Sequence, residues 1–278
     1  MTAGFATRLR SAFHEYGHLC VGIDPHPFLL KNWGLDDTPH GMLELSLRTL
    51  EACADQVGLI KPQVAFFERH GSAGYKVLET VIERARDAGI LVIADSKRGD
   101  IGTTMEAYAA TWLGVGSPLE SDAVTVSPYL GVDSLAGTFD MADRNGKGVF
   151  VLAATSNPEA AALQRSRVES GEYLAADVVA RVSTRSQSMQ DPGGFGVVLG
   201  ATLRLDDFEV ETTSAYPLPV LAPGFGAQGA HVKDARTLFG SLSQNLIVAQ
   251  TRSILEAGPD GVAEAVRREA AETANALA

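Results

Sequence analysis

Eight short apolar runs, each ending in a charge, a proline or a glycine-rich turn, constrain this chain more than any other feature. They are LCVGID (19–24), GLIKPQ (58–63), ILVIADSKRGDIG (90–102), DAVTVSPYLG (122–131), GVFVLAATSNP (148–158), GFGVVLGAT (194–202), PVLAPGFGAQG (219–229) and NLIVAQTRSIL (245–255). Runs that are apolar throughout, rather than alternating, belong to strands buried on both faces. Helical patterns separate them, including residues 5–16, 40–57, 72–88, 103–113 and 133–145, with 263–277 closing the chain. Gly89 and the pair Asn145-Gly146 stand where a helix C-terminus favours a left-handed residue. Strand followed by helix, repeated, predicts a parallel sheet covered by helices.

The economical arrangement is a (β/α)8 TIM barrel, and the chain of 278 residues has a length typical of one. A doubly wound open sheet satisfies the same pattern, because a strand count does not show closure. No Pro/Ser-rich linker or composition shift divides the chain, which predicts a single domain. Residues 159–190, polar and Ala-rich, predict a helical crossover longer than the standard one, or an insertion.

Composition narrows the partners. A formal net charge of -11 argues against nucleic acid or an anionic membrane surface held by bulk electrostatics. It leaves room for a local phosphate pocket. No apolar run approaches the length needed to span a bilayer. Arg8, Arg10, His14 and Glu15 interrupt the first twenty residues, so no signal region forms, and a cytoplasmic location is expected. The two cysteines, Cys20 and Cys53, read as small core residues rather than a disulfide or a metal set.

The third run carries the chemistry. Ile90 to Ala94 lead directly into Asp95, Lys97 and Asp100, and buried charges are costly unless they pair or act. Residues two apart on a strand share a face, so Asp95 and Lys97 point the same way, and a turn permitted by Gly99 brings Asp100 after them. In a parallel barrel the working groups sit at the carboxyl ends of the strands. That rule converges Asp24, Lys61, Asp95, Lys97 and Asp100 on one mouth, with Ser156, the turn Pro223–Gly226 and Arg252. Each alone has a plain reading: Asp24 as a turn residue before Pro25, Lys61 as a lysine snorkelling to solvent. The segment PGFGAQG offers amides unobstructed by side chains and, with Arg252, suits a phosphate. His26, His70 and His231 pair with no nucleophile or metal set and read as structural or surface residues.

These residues resemble a known family. DSKRGDIGTT (95–104) is similar to the D-x-K-x-x-D-I-G-x-T signature of orotidine 5′-phosphate decarboxylases. GIDP (22–25), Lys61 within IKPQVAFFE, and ATSNP (154–158) resemble the branch of that family found in many actinobacteria. The resemblance implies conversion of orotidine 5′-monophosphate to UMP and CO2, the last step of UMP synthesis, with neither metal nor organic cofactor. It implies a charge array of Lys61, Asp95, Lys97 and Asp100, with Lys97 as proton donor. Asp24 would hold a ribose hydroxyl, Ser156 the pyrimidine ring, and Pro223, Gly224 and Gln228 with Arg252 the phosphate. It also implies a homodimer in which Asp100 and Thr104 complete the partner's site. Ser253 after Arg252 departs from the glycine common in relatives. Because related barrels share DxKxxD, a metal-dependent sugar-phosphate enzyme and a non-catalytic phosphate-binding barrel are the competing readings.

Overall fold

The computed structural model describes residues 3–213 and 218–278. Eight parallel strands form a closed barrel in sequence order. They are β1 (Leu19–Ile23), β2 (Leu59–Pro62), β3 (Leu91–Arg98), β4 (Ala123–Val126), β5 (Gly148–Ala154), β6 (Phe195–Leu199), β7 (Val220–Pro223) and β8 (Leu246–Gln250). Closure is made by β1 against β8, with Leu19 opposite Val248 and Val21 opposite Gln250. The open-sheet alternative is thereby excluded.

Two hydrophobic cores follow from the period-two alternation of side chains. Outward residues such as Val21, Ile60, Val92 and Val124 pack against the helices. Inward residues such as Cys20, Leu59, Ile93, Phe150 and Ile247 fill the barrel. The helix Phe5–Tyr16 closes the amino-terminal end of that interior, with Phe5 edge-on to Phe150 at 6.1 Å between ring centroids. Gly148 makes the room: a Cβ there would lie 2.5 Å from the Phe5 ring. With that end filled, the barrel interior opens, among the described residues, at its carboxyl-terminal mouth.

The helices Pro39–Cys53, Gly71–Asp87, Gly102–Leu113, Ala136–Asn145 and Gly258–Leu277 lie where the periodicity places them. Gly89 (φ 72°) and Gly146 (φ 62°) are left-handed just past two of those helices. Residues 159–190 are less helical than their composition predicts. A 3-10 turn (Pro158–Ala160) and a single helical turn (Ala161–Gln164) precede a bridge of Arg167 to Tyr173, and only Leu174–Gln187 is a full helix. Ser170-Gly171 interrupts, with Gly171 at φ 92°. Among the described residues no helix is long and apolar enough to cross a membrane.

Candidate active site

The inward parity that fills the barrel with Cys20, Leu59, Ile93 and Ala123 continues, two residues later on each strand, into Gly22, Lys61, Asp95 and Thr125. One further step brings Asp24 and Lys97. The site is thus the last polar layer of the barrel filling, held by the same alternation that builds the core.

Asp95 is its centre and is buried. Lys61 Nζ donates to Oδ2 at 3.0 Å, and Lys97 Nζ donates to Oδ1 at 2.5 Å. Thr125 Oγ1 donates to the same Oδ1 at 2.8 Å and accepts from the Lys97 backbone N–H at 3.0 Å. Burial alone would raise the Asp95 carboxyl, but Lys61 and Lys97 outweigh it and hold the group well below the ordinary carboxylate range. Burial likewise opposes the charge on Lys61, and the carboxylates of Asp95 and Asp24 reverse this, holding its ammonium above the ordinary lysine value. Each buried charge therefore faces an opposite one.

Lys97 has φ 50°, a left-handed conformation uncommon outside glycine. Its cause is in the sheet: Ala94 pairs with Val124 and Arg98 with Val126, so β3 spends four residues where β4 spends two. The bulge lifts Lys97 out of the strand and aims its ammonium across the mouth, where Gln63 Oε1 lies 3.4 Å away. Backbone strain of this kind is held where the surrounding structure over-determines it, as at functional sites.

Asp24 is the second carboxylate that acts on Lys61. Burial raises its carboxyl above the ordinary value, against the pull of Lys61 and a side-chain hydrogen bond from Thr251. Its Oδ1 is buried without a hydrogen-bond partner among the described residues. An acceptor left open at a cavity wall suits a ligand hydroxyl. Gly22 leaves room for Thr251: a Cβ on it would meet Thr251 Oγ1 at 1.9 Å.

These groups line one wall of a cavity of about 620 Å³. Ser156, Pro223, Gly224, Gln228 and Arg252 line other parts of it. The Ser156 turn is held from the long crossover, where Gln164 accepts from Thr155 N at 2.9 Å and donates to Thr155 Oγ1 at 2.9 Å. In the loop after β7, Gly224 (φ 118°) and Gly226 (φ 70°) take left-handed conformations. Gly226 N donates to Ala230 O at 2.9 Å and Gly229 N to Gly226 O at 2.9 Å, closing a tight turn. The amides of Ala227 and Gln228 have no partner among the described residues, and Arg252 has no carboxylate partner there. That is a cationic, donor-rich corner across the cavity from the Lys-Asp array.

Of the residues read from the sequence, nine gather here. Asp100 and Thr104 do not: neither lines the cavity of its own chain, and Thr104 is exposed on the helix Gly102–Leu113. Of the five charged residues expected at one mouth, four line this cavity, and Asp100, which follows the end of β3 at Arg98, lies outside its lining. Gly99 also acts differently from the reading above. Its φ is not left-handed; a Cβ would lie 2.6 Å from Ser127 O, so close approach of the β4 loop demands it, and Gly102 (φ 54°) makes the turn. Sequence reasoning missed Gln63, Thr125 and Thr251, small polar groups whose signal was only their inward parity. It also placed His26 with structural residues; His26 Nδ1 caps Phe28 N at 3.2 Å and its side lines the cavity.

The comparisons with known proteins agree with this geometry. The model of the orotidine 5′-phosphate decarboxylase / HUMPS family matches residues 17–268. The chain is 51% identical to an orotidine 5′-phosphate decarboxylase of Salinispora arenicola, over 92% of this chain and 91% of that protein. It is 47% identical to one of Streptomyces coelicolor, over 92% and 91%. A solved structure from Streptomyces avermitilis superposes with a TM-score of 0.93 at 43% identity, covering 99% of this chain and 96% of that one. The structure of Leishmania donovani OMP decarboxylase gives 0.77 at 30% identity, covering 98% and 99%. With a closed eight-stranded barrel, a Lys-Asp-Lys array at its mouth and this likeness over nearly its whole length, the chain belongs to the orotidine 5′-phosphate decarboxylase / HUMPS family.

Proposed function

We propose that this chain is a carboxy-lyase that converts orotidine 5′-monophosphate to UMP and CO2, the last step of pyrimidine nucleotide synthesis. The observation that carries the reading is the array Lys61–Asp95–Lys97, set at the wall of a cavity whose opposite corner is built from Ala227, Gln228 and Arg252. The relatives at 47% to 51% identity are decarboxylases by name, which favours this reaction over the sugar-phosphate chemistry also found in the family.

The chemistry follows from the positions. When the bond from C6 to the carboxylate breaks, its electron pair stays on C6, a ring carbon with little means of delocalising it. Lys97 Nζ stabilises that charge and then transfers a proton to C6, regaining one from water. Asp95 stands beside the departing carboxylate, and Lys61 and Thr125 keep it from turning away. Asp24 holds a ribose hydroxyl through its open Oδ1, Ser156 meets the pyrimidine ring, and Pro223, Gly224, Gln228 and Arg252 take the phosphate. Binding energy collected at the phosphate then orients the distant ring.

The working unit is a homodimer of single-domain barrels, with Asp100 and Thr104 reaching the partner's site. Support comes from their position outside their own cavity and from exposed apolar residues on the adjoining loops, Ile101 (61% exposed), Tyr129 (76%) and Leu130 (51%).

The test is ultraviolet absorbance of orotidine 5′-monophosphate mixed with the protein, with and without EDTA. Conversion to UMP unaffected by EDTA is expected. Folded protein that leaves the nucleotide unchanged, or that works only with a divalent metal, sinks the reading in favour of the sugar-phosphate branch.

A further inference from the structure

Beneath the loop after β7 lies a polar pair with no place in the chemistry above. Ile247 and Ala249 face into the barrel, so Gln250 at the end of β8 faces outward, and it is 1% exposed. Ser253 Oγ donates to its Oε1 at 2.6 Å, while its Nε2 is buried without a partner among the described residues. Directly over this pair rests Gly226. A Cβ on Gly226 would lie 3.0 Å from Gln250 Oε1 and 3.0 Å from both Cβ and Oγ of Ser253. Gly226 in turn makes two of the three backbone hydrogen bonds of the turn that presents the Ala227 and Gln228 amides. The bond between Gln250 and Ser253 also spans the two residues that include Arg252, so one contact sets the seat of the loop and the path of the backbone that carries the guanidinium.

We propose that Gln250 and Ser253 are positioning residues for the phosphate group of the ligand. Their hydrogen bond levels the floor under Gly226 and holds the turn at Arg252, so that loop amides and guanidinium converge on one dianion. Ser253 then has a function: its hydroxyl supplies the donor that fixes Gln250 Oε1 beneath Gly226. This inference rests on the nucleotide reading above and deepens it at the phosphate end.

The experiment compares ligands that differ only in the phosphate. Binding of UMP and of uridine to wild type, Ser253→Ala, Ser253→Thr and Gln250→Leu is measured by calorimetry, alongside KM and kcat for orotidine 5′-monophosphate. In Ser253→Ala, UMP affinity is expected to fall about 5- to 10-fold, the scale of one lost hydrogen bond between neutral groups passed on to the phosphate corner, with uridine affinity within about twofold of wild type. KM rises more than kcat falls, and Ser253→Thr restores most of the UMP affinity. Should Gln250→Leu fail to fold, Ser253→Ala decides alone. Equal losses for UMP and uridine, or no loss of UMP affinity in folded Ser253→Ala, overturn the inference. Wild type that binds no UMP overturns the functional reading and this inference with it.

Discussion

Asp95 illustrates how one residue stays charged where burial should neutralise it. Its carboxyl is held far down by two ammonium groups, after burial has pushed the other way. A depressed carboxyl stabilises the fold above the unfolded value of 3.8, and the contribution is lost only as pH falls through the lower folded value. Asp95 therefore adds no slope to stability or rate between pH 5 and 8, a range set by the ordinary carboxylate values. Asp24 behaves oppositely: burial raises it, so its neutral form persists to higher pH than in an ordinary aspartate. If ribose binding needs the carboxylate, KM climbs on the acid side earlier than a pKa of 3.8 would allow, while Asp24→Asn gives a high KM with that limb flattened. A pH series of KM on both proteins checks this, and identical profiles would contradict it. Among single residues, charge was what the sequence made visible. Asp24, Lys61, Asp95 and Lys97 announce themselves by ending apolar runs, whereas Thr125 and Thr251 carry no such contrast and emerge only when strand parity is known. The left-handed φ of Lys97 was hidden too, because it arises from unequal lengths of two paired strands.

At the level of elements, the strand ends are tuned by what glycine leaves open. Gly22 admits the Thr251 hydroxyl beside Asp24. Gly22→Ala should displace Thr251 and lower kcat/KM by roughly 10- to 100-fold, a cost of about 1.4 to 2.8 kcal/mol, mainly through KM. Unchanged KM in the folded variant would detach Thr251 from the site. The amino-terminal helix serves the opposite end. Phe5→Ala empties the barrel floor and should cost about 3–5 kcal/mol in denaturant unfolding, with kcat of the folded protein unchanged. Loss of kcat at full stability would instead tie the plug to the mouth. Strands and most helices were legible because their burial is continuous or periodic. Residues 165–173 were not: the reading of 159–190 as one polar, Ala-rich crossover averages over this stretch, RSRVESGEY, which holds no alanine and turns at Gly171.

For the whole molecule, closure and assembly are the properties that local patterns do not contain. Barrel and open sheet share the same runs; only the pairing of β1 with β8 separates them. The position of Asp100 and Thr104 outside the cavity of their own chain makes sharing of sites between two copies testable. Neither Lys97→Ala nor Asp100→Ala protein should turn over appreciably alone. Mixed and allowed to exchange subunits, each mixed dimer regains one intact site, which gives about a quarter of wild-type activity in a statistical mixture. No recovery after exchange is demonstrated would confine the site to one chain.

The most direct measurement is turnover of orotidine 5′-monophosphate by Lys97→Ala beside its affinity for UMP. Removing the ammonium takes away proton donor and carbanion partner together but leaves the phosphate corner intact. Turnover should fall by at least about a thousandfold, within the span of a lost general acid and a lost charge stabiliser, with UMP binding changed only a few-fold. Turnover near wild type in that variant would contradict the account.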